Sequence, residues 1–105
     1  MSDLRLIHSS VSSEESARTL AGKLVENDLA ACVSIGSKIR SVYRWEGTLE
    51  DEEELPLTVK TTTNRLEETM EFLEQNHPYD CPELIVTAPF ATNENYENWA
   101  KTQLD

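Results

Sequence analysis

Between Ile39 and Thr62 two runs of alternating residues flank a short polar interruption, and nothing else in the chain restricts the fold as strongly. Ile39, Ser41, Tyr43 and Trp45 fall on one side of the first run, with Arg40, Val42 and Arg44 on the other. In the second run Leu55, Leu57, Val59 and Thr61 face one way and Thr58, Lys60 and Thr62 the other. Successive side chains of a strand point to opposite faces, so a period of two predicts strands. Glu46-Gly47-Thr48 reads as a turn, and the acidic run Glu50 to Glu54 as a solvated hairpin tip. The segment is therefore expected to form a long antiparallel hairpin.

The flanking sequence supplies the rest of the fold. Leu4, Leu6 and His8 alternate with Arg5 and Ile7, as in a first strand. Ser12 with Glu15 has the spacing of a helix cap, and Ala17, Leu20, Ala21, Leu24 and Val25 mark one helical face that ends near Asn27. An extended segment runs from Leu29 and breaks at Gly36-Ser37. Asn64 with Glu67 repeats the cap spacing ahead of Leu66, Met70 and Leu73. That helix must stop by His77, because Pro78 disfavours helical geometry in the residue before it. Leu84 to Ala88 suits a central strand, and Asn93 opens a last helix carrying Tyr96, Trp99 and Ala100. The order β-α-β-β-α-β plus a terminal helix predicts an α+β, ferredoxin-like sandwich spanning 1–105 as one domain. Helices would cover one face of its sheet, and the open face predicts an oligomer that buries it.

Charge narrows the partners. Twenty Asp and Glu against nine Lys and Arg give a formal net charge of −11. Nucleic-acid binding neutralises phosphates with basic side chains, so it is excluded, as is attraction to anionic lipid. The acidity reads as a solubilising surface, with a saline cytoplasm as the other explanation. No run approaches the ~20 apolar residues of a membrane span. Met1 to Arg5 lacks the basic start of a signal peptide. Two cysteines, Cys32 and Cys81, are too few for a disulfide framework, and a cytoplasmic protein is expected.

Few residues carry reactive chemistry. Cys32 lies among Ala30, Ala31 and Val33, surroundings of a buried thiol. Cys81 sits between Asp80 and Pro82, where the carboxylate disfavours a thiolate. His77 stands at a helix C-terminus with Asp80 and Cys81 just beyond it. Imidazole and thiolate suit copper or zinc, but no four-ligand zinc spacing is present. Lys60 is a lone base on the polar side of an apolar strand, an exposed lysine or a charged anchor beside Glu46 or Glu83. No nucleophile is matched with a base, so no enzyme is expected.

Five segments in order resemble the CutA family of divalent-cation tolerance proteins. They are Leu29-Ala30-Ala31-Cys32-Val33, Tyr43-Arg44-Trp45-Glu46-Gly47, Leu57-Thr58-Val59-Lys60-Thr61, His77-Pro78-Tyr79-Asp80-Cys81-Pro82-Glu83 and Tyr96-Glu97-Asn98-Trp99. The resemblance implies a homotrimer similar in architecture to the PII signal transducers, and a link to divalent metals, copper above all. Some family members have a cysteine ending the first strand and two histidines before the Pro-Tyr pair. Here Ser9 and Asn76 occupy two of those positions and only His77 remains. A hydroxyl and an amide are poor copper ligands, so at most weak Cu2+ binding is expected, through His77 and Cys81, with no obligatory cofactor.

The expected function is thus divalent-metal tolerance by a trimer. The alternative is a trimeric signalling or scaffold module that binds a small ligand or a protein partner. Its intersubunit cleft would be lined by Cys32, Tyr43, Trp45, Lys60, Tyr79 and Glu83.

Overall fold

Strand β4 (Thr48–Thr62) is the spine of the molecule, and its length comes from serving three partners in turn. The computed structural model describes residues 2–104; Met1 and Asp105, the ends of the expected 1–105 domain, lie outside them. On one edge β4 pairs antiparallel with β1 (Leu4–Val11), from Leu4↔Thr62 to Val11↔Leu55. On the other it pairs with β2 (Cys32–Ile35), then with β3 (Ile39–Trp45). Strand β5 (Ile85–Thr87) lies on the far side of β1. Helices α1 (Glu14–Glu26), α2 (Leu66–Asn76) and α3 (Glu94–Leu104) complete the order. With β2 and β3 as two halves of one extended run, this is the expected β-α-β-β-α-β plus a helix, in sheet order β2-β4-β1-β5.

The break between β2 and β3 has a steric cause. A Cβ on Gly36 would meet the Pro56 ring at 2.6 Å, and the Gly36 N–H donates to the Pro56 carbonyl at 2.8 Å. Only a residue without a side chain lets the chain approach β4 so closely.

At the other end of β3, Glu46 and Gly47 take φ of 48° and 84°, and Trp45 pairs with Thr48 across them. Two successive left-handed residues make the tight turn that suits twisted strands. The tip therefore lies at Glu46-Gly47, which corrects the reading of Glu50 to Glu54 as a solvated tip. Those acids belong to β4 and pair with β3, from Tyr43↔Glu50 to Ile39↔Glu54. Arg40 reaches Asp51 at 2.9 Å and Glu53 at 3.6 Å across the pair, which offsets repulsion within the run.

Helices α1 and α2 bury their apolar stripes against Ile7, Val11, Leu55, Leu57 and Val59. Ala17, Leu20, Leu24 and Leu73 come from the helices, while Val25 is exposed. The α1 cap is Ser13 and not Ser12: the Ser13 hydroxyl accepts the Ser16 N–H at 3.1 Å. Likewise α2 starts after Arg65, and Asn64 is not its cap. There a turn held by Arg65 N–H to the Thr62 carbonyl sets the start, and the Arg65 guanidinium donates to the Leu104 carbonyl.

Leu4 is three residues from Ile7 on β1 and so points to the opposite face. It packs with Ala31, Ala100, Leu104 and the half-buried Tyr96, so α3 covers one end of the face expected to be open. The remainder of that face carries Leu6, His8, Thr58 and Lys60, all half-buried. Of the large exposed apolar residues, Val42, Trp45 and Leu49 lie on the β3–β4 ribbon and Phe90, at 92% exposure, lies beyond β5, whereas Ile85 pairs with His8 and adds an exposed apolar side chain to this face. Strand β5 is an edge strand and not central, because β1 and β4 occupy the middle of the sheet.

Candidate functional site

The segment after α2 is shaped by its first two residues. Pro78 forces His77 out of the helix (φ −68°, ψ 140°), as expected, while the His77 N–H still closes the last turn on the Leu73 carbonyl. The imidazole then turns in against the end of β1. Its Nδ1 accepts the Tyr79 N–H at 3.1 Å. That leaves the proton on Nε2, which lies 3.0 Å from both the Ser10 carbonyl and the Ser9 hydroxyl. His77 is buried, and burial holds its pKa below the ordinary imidazole value, although the Ser10 carbonyl and the Glu54 carboxylate favour the charged form.

Tyr79 carries the connection onward. Its ring lies 5.0 Å from the His77 ring, tilted by 55°, and its hydroxyl donates to Glu54 Oε2 at 2.8 Å. Burial, then the Glu54 carboxylate, pushes the Tyr79 phenol up to about 12. Glu54 is buried at 9% exposure. Burial would raise its pKa, yet hydrogen bonds from Ser41, Tyr79 and Ser10 hold it below the ordinary carboxylate value. Burying a carboxylate is tolerable only when it is bonded in this way. Glu54 therefore joins β1, the base of the ribbon and the loop after α2.

Above this junction lies a cleft of about 710 Å³. Tyr43 and Trp45 enter it from β3, Glu52, Glu53 and Glu54 from β4, and Tyr79, Asp80, Cys81 and Glu83 from the loop. Burial, then Glu52, Glu50 and Glu54, raise the Tyr43 phenol above its ordinary value. Of the residues expected to share a cleft, Tyr43, Trp45, Tyr79 and Glu83 meet here, with Cys81 beside them and His77 beneath Tyr79. Cys32 and Lys60 do not line it. They face each other across β2 and β4, and Lys60 Nζ donates to the Ser34 hydroxyl at 3.1 Å. Glu54, Ser10, Ser12 and Ser41 are cleft residues that the sequence reasoning missed. The one signal for Glu54 was its place at the junction of an acidic and an apolar run.

The donor set does not fit a resident metal centre. Among the described residues no three His, Cys, Asp or Glu side chains converge to hold a metal. Both His77 ring nitrogens are engaged within the fold, and Cys81 is exposed. A cation at His77 would have to displace one of those hydrogen bonds. No helix among the described residues is long and apolar enough to cross a membrane.

Residues 5–103 match the sequence pattern of the CutA1 divalent ion tolerance protein. The divalent-cation tolerance protein CutA of Thermus thermophilus is 43% identical over 91 residues, which is 87% of this chain and 88% of that one. The chloroplastic CutA of Arabidopsis thaliana is 36% identical over 91% of this chain and 53% of its own. Among solved structures, CutA of Synechococcus elongatus superposes with a TM-score of 0.95 at 41% identity, covering 100% of this chain and 93% of that one. A structure of the same protein complexed with a Bis-Tris molecule gives a TM-score of 0.90 at 40% identity, over 99% of this chain and 96% of that one. The periplasmic divalent cation tolerance protein CutA of Archaeoglobus fulgidus gives 0.91 at 27% identity, over 97% and 99%. The proteins it resembles thus occupy more than one compartment.

Proposed function

The chain belongs to the CutA1 divalent ion tolerance family, and on that premise we propose that it acts in copper tolerance as a cytoplasmic homotrimer that binds the cation weakly. The observation that carries the reading is the cleft itself, where the Cys81 thiol lies among carboxylates of β4 and of the loop, with His77 buried beneath Tyr79. Weakness has a structural reason: each bond from His77 to copper costs a hydrogen bond already made. Copper is here a bound partner and not a cofactor, and the role is binding and not catalysis.

The ribbon supports the trimer. Residues Thr48 to Glu54 of β4 pair with β3 alone, and the two strands expose Val42 and Leu49 on the side of the ribbon opposite Tyr43 and Trp45. An isolated two-stranded ribbon is marginal in water, so packing against a neighbouring copy is the natural complement. Light scattering should give three times the 11.9 kDa chain mass, and a monomer would overturn the assembly. Titration calorimetry with copper should show weak saturable heats that fall in Cys81→Ser and His77→Gln; heats unchanged by both would remove these ligands.

One observation favours a second reading, a trimeric signalling or scaffold module. A cleft of about 710 Å³ is far larger than a metal ion needs and falls in the range of small-molecule sites. The Bis-Tris complex of the Synechococcus relative is consistent with small-ligand binding in the family.

A further inference from the structure

The cleft's lining is unusual in what it combines. Three aromatic side chains, Tyr43, Trp45 and Tyr79, share it with carboxylates from both walls, and no Lys or Arg is among the described residues that line it. Tyr43 and Trp45 remain 43% and 48% exposed, so ring surface is open to a ligand.

The acids do not offer themselves as a metal cage. Glu54 already accepts from Tyr79, and Glu53 is drawn to Arg40 at 3.6 Å and Lys38 at 3.7 Å. Transition metals demand several lone pairs converging on one point, and the described residues provide no such group. An organic ammonium ion makes different demands. Its charge is spread over alkyl groups, which pack against aromatic faces with the cation within ~6 Å of a ring centre, and it needs negative potential without fixed ligand geometry. Carboxylates behind aromatic walls meet both needs, and the volume suits such an ion where it dwarfs a bare metal.

We propose that the cleft between the β3–β4 ribbon and the Tyr79–Glu83 loop binds an organic ammonium ion, held by Tyr43 and Trp45 and neutralised by the cleft carboxylates. The inference rests on the reading of this cleft as the functional site and names the class of ligand it takes.

The test is calorimetric titration of the intact chain, in its native assembly, with three probes. They are choline chloride, its uncharged isostere with carbon in place of the quaternary nitrogen, and cupric chloride. Choline should bind saturably, and the isostere at least about tenfold more weakly, since the charge is what the aromatic and acidic walls read. Tyr43→Leu and Trp45→Leu should each weaken choline by about threefold or more. Both positions are exposed, so the substitutions leave the core in place. No saturable choline binding, or equal binding of the isostere, overturns the assignment. Copper binding without choline binding overturns it too while leaving copper tolerance standing, and choline binding without copper binding supports it while removing the copper reading.

Discussion

The phenol of Tyr79 donates to the carboxylate of Glu54 at 2.8 Å, and this bond fastens the loop after α2 to the base of the β3–β4 ribbon. Tyr79 is itself held by His77, whose Nδ1 accepts its backbone N–H. The two walls of the cleft are thus set by one chain of contacts that runs from Ser10 through His77 and Tyr79 to Glu54.

Tyr79→Phe keeps the ring and removes the bond. Hydrogen bonds to charged groups contribute about 1.5–3 kcal/mol, and Ser41 and Ser10 still serve Glu54. A loss of about 1–2 kcal/mol is expected in urea unfolding, together with a rise in the Glu54 pKa by NMR titration. An unchanged Glu54 titration would mean the bond does not form in solution.

Acid should unfold the protein in two windows. The folded pKa of His77 lies below its ordinary 6.5, so its contribution is complete above 6.5 and is lost as pH falls from there through the folded value. Glu54 follows the same sign lower down: its contribution is present above the ordinary 4.5 and lost as pH falls through its depressed folded value. Stability measured against pH should therefore start to decline just below 6.5, and His77→Gln should abolish that first decline while retaining the second.

Gly36→Ala places a methyl 2.6 Å from the Pro56 ring, so the ring or the bend must shift. Overpacking of this kind costs about 1–3 kcal/mol. Thermal melting should report it, whereas Gly22→Ala, with nothing within 4 Å of the new methyl, should leave the melting temperature unchanged or higher.

Leu73 is fully buried where α2 meets the sheet, one turn before His77. Leu73→Ala should cost about 2–5 kcal/mol by calorimetry or denaturant melts. A cost under 1 kcal/mol would place α2 outside the core.

Local rules in the chain were the most legible. Alternation from Ile39 to Trp45 and from Leu55 to Thr61 marked both long strands, and Pro78 stopped α2 at its neighbour. Glu46-Gly47-Thr48 was legible as the turn, but Glu50 to Glu54 was misread as a solvated tip, because acidity reads as solvation whether or not a strand carries it. The α1 cap was placed one residue early, at Ser12, because the Ser12–Glu15 spacing fits a capping pair, whereas Ser13 makes the bond. Within the site, Tyr43, Trp45, Tyr79, Cys81 and Glu83 come together, but Glu54 was hidden in a run of like residues whose burial only Tyr79, Ser41 and Ser10 explain. Cys32 and Lys60 sit together on neighbouring strands, away from the ribbon's cleft face.

Trp45 lines the cleft in which a bound cation would sit. The chain has two tryptophans, and Trp99→Phe leaves Trp45 as the sole reporter. Copper titrated into that chain should quench its fluorescence with a saturable curve, and Cys81→Ser should weaken the midpoint several-fold. Quenching that rises linearly without saturation, and is the same with Cys81→Ser, would contradict the account.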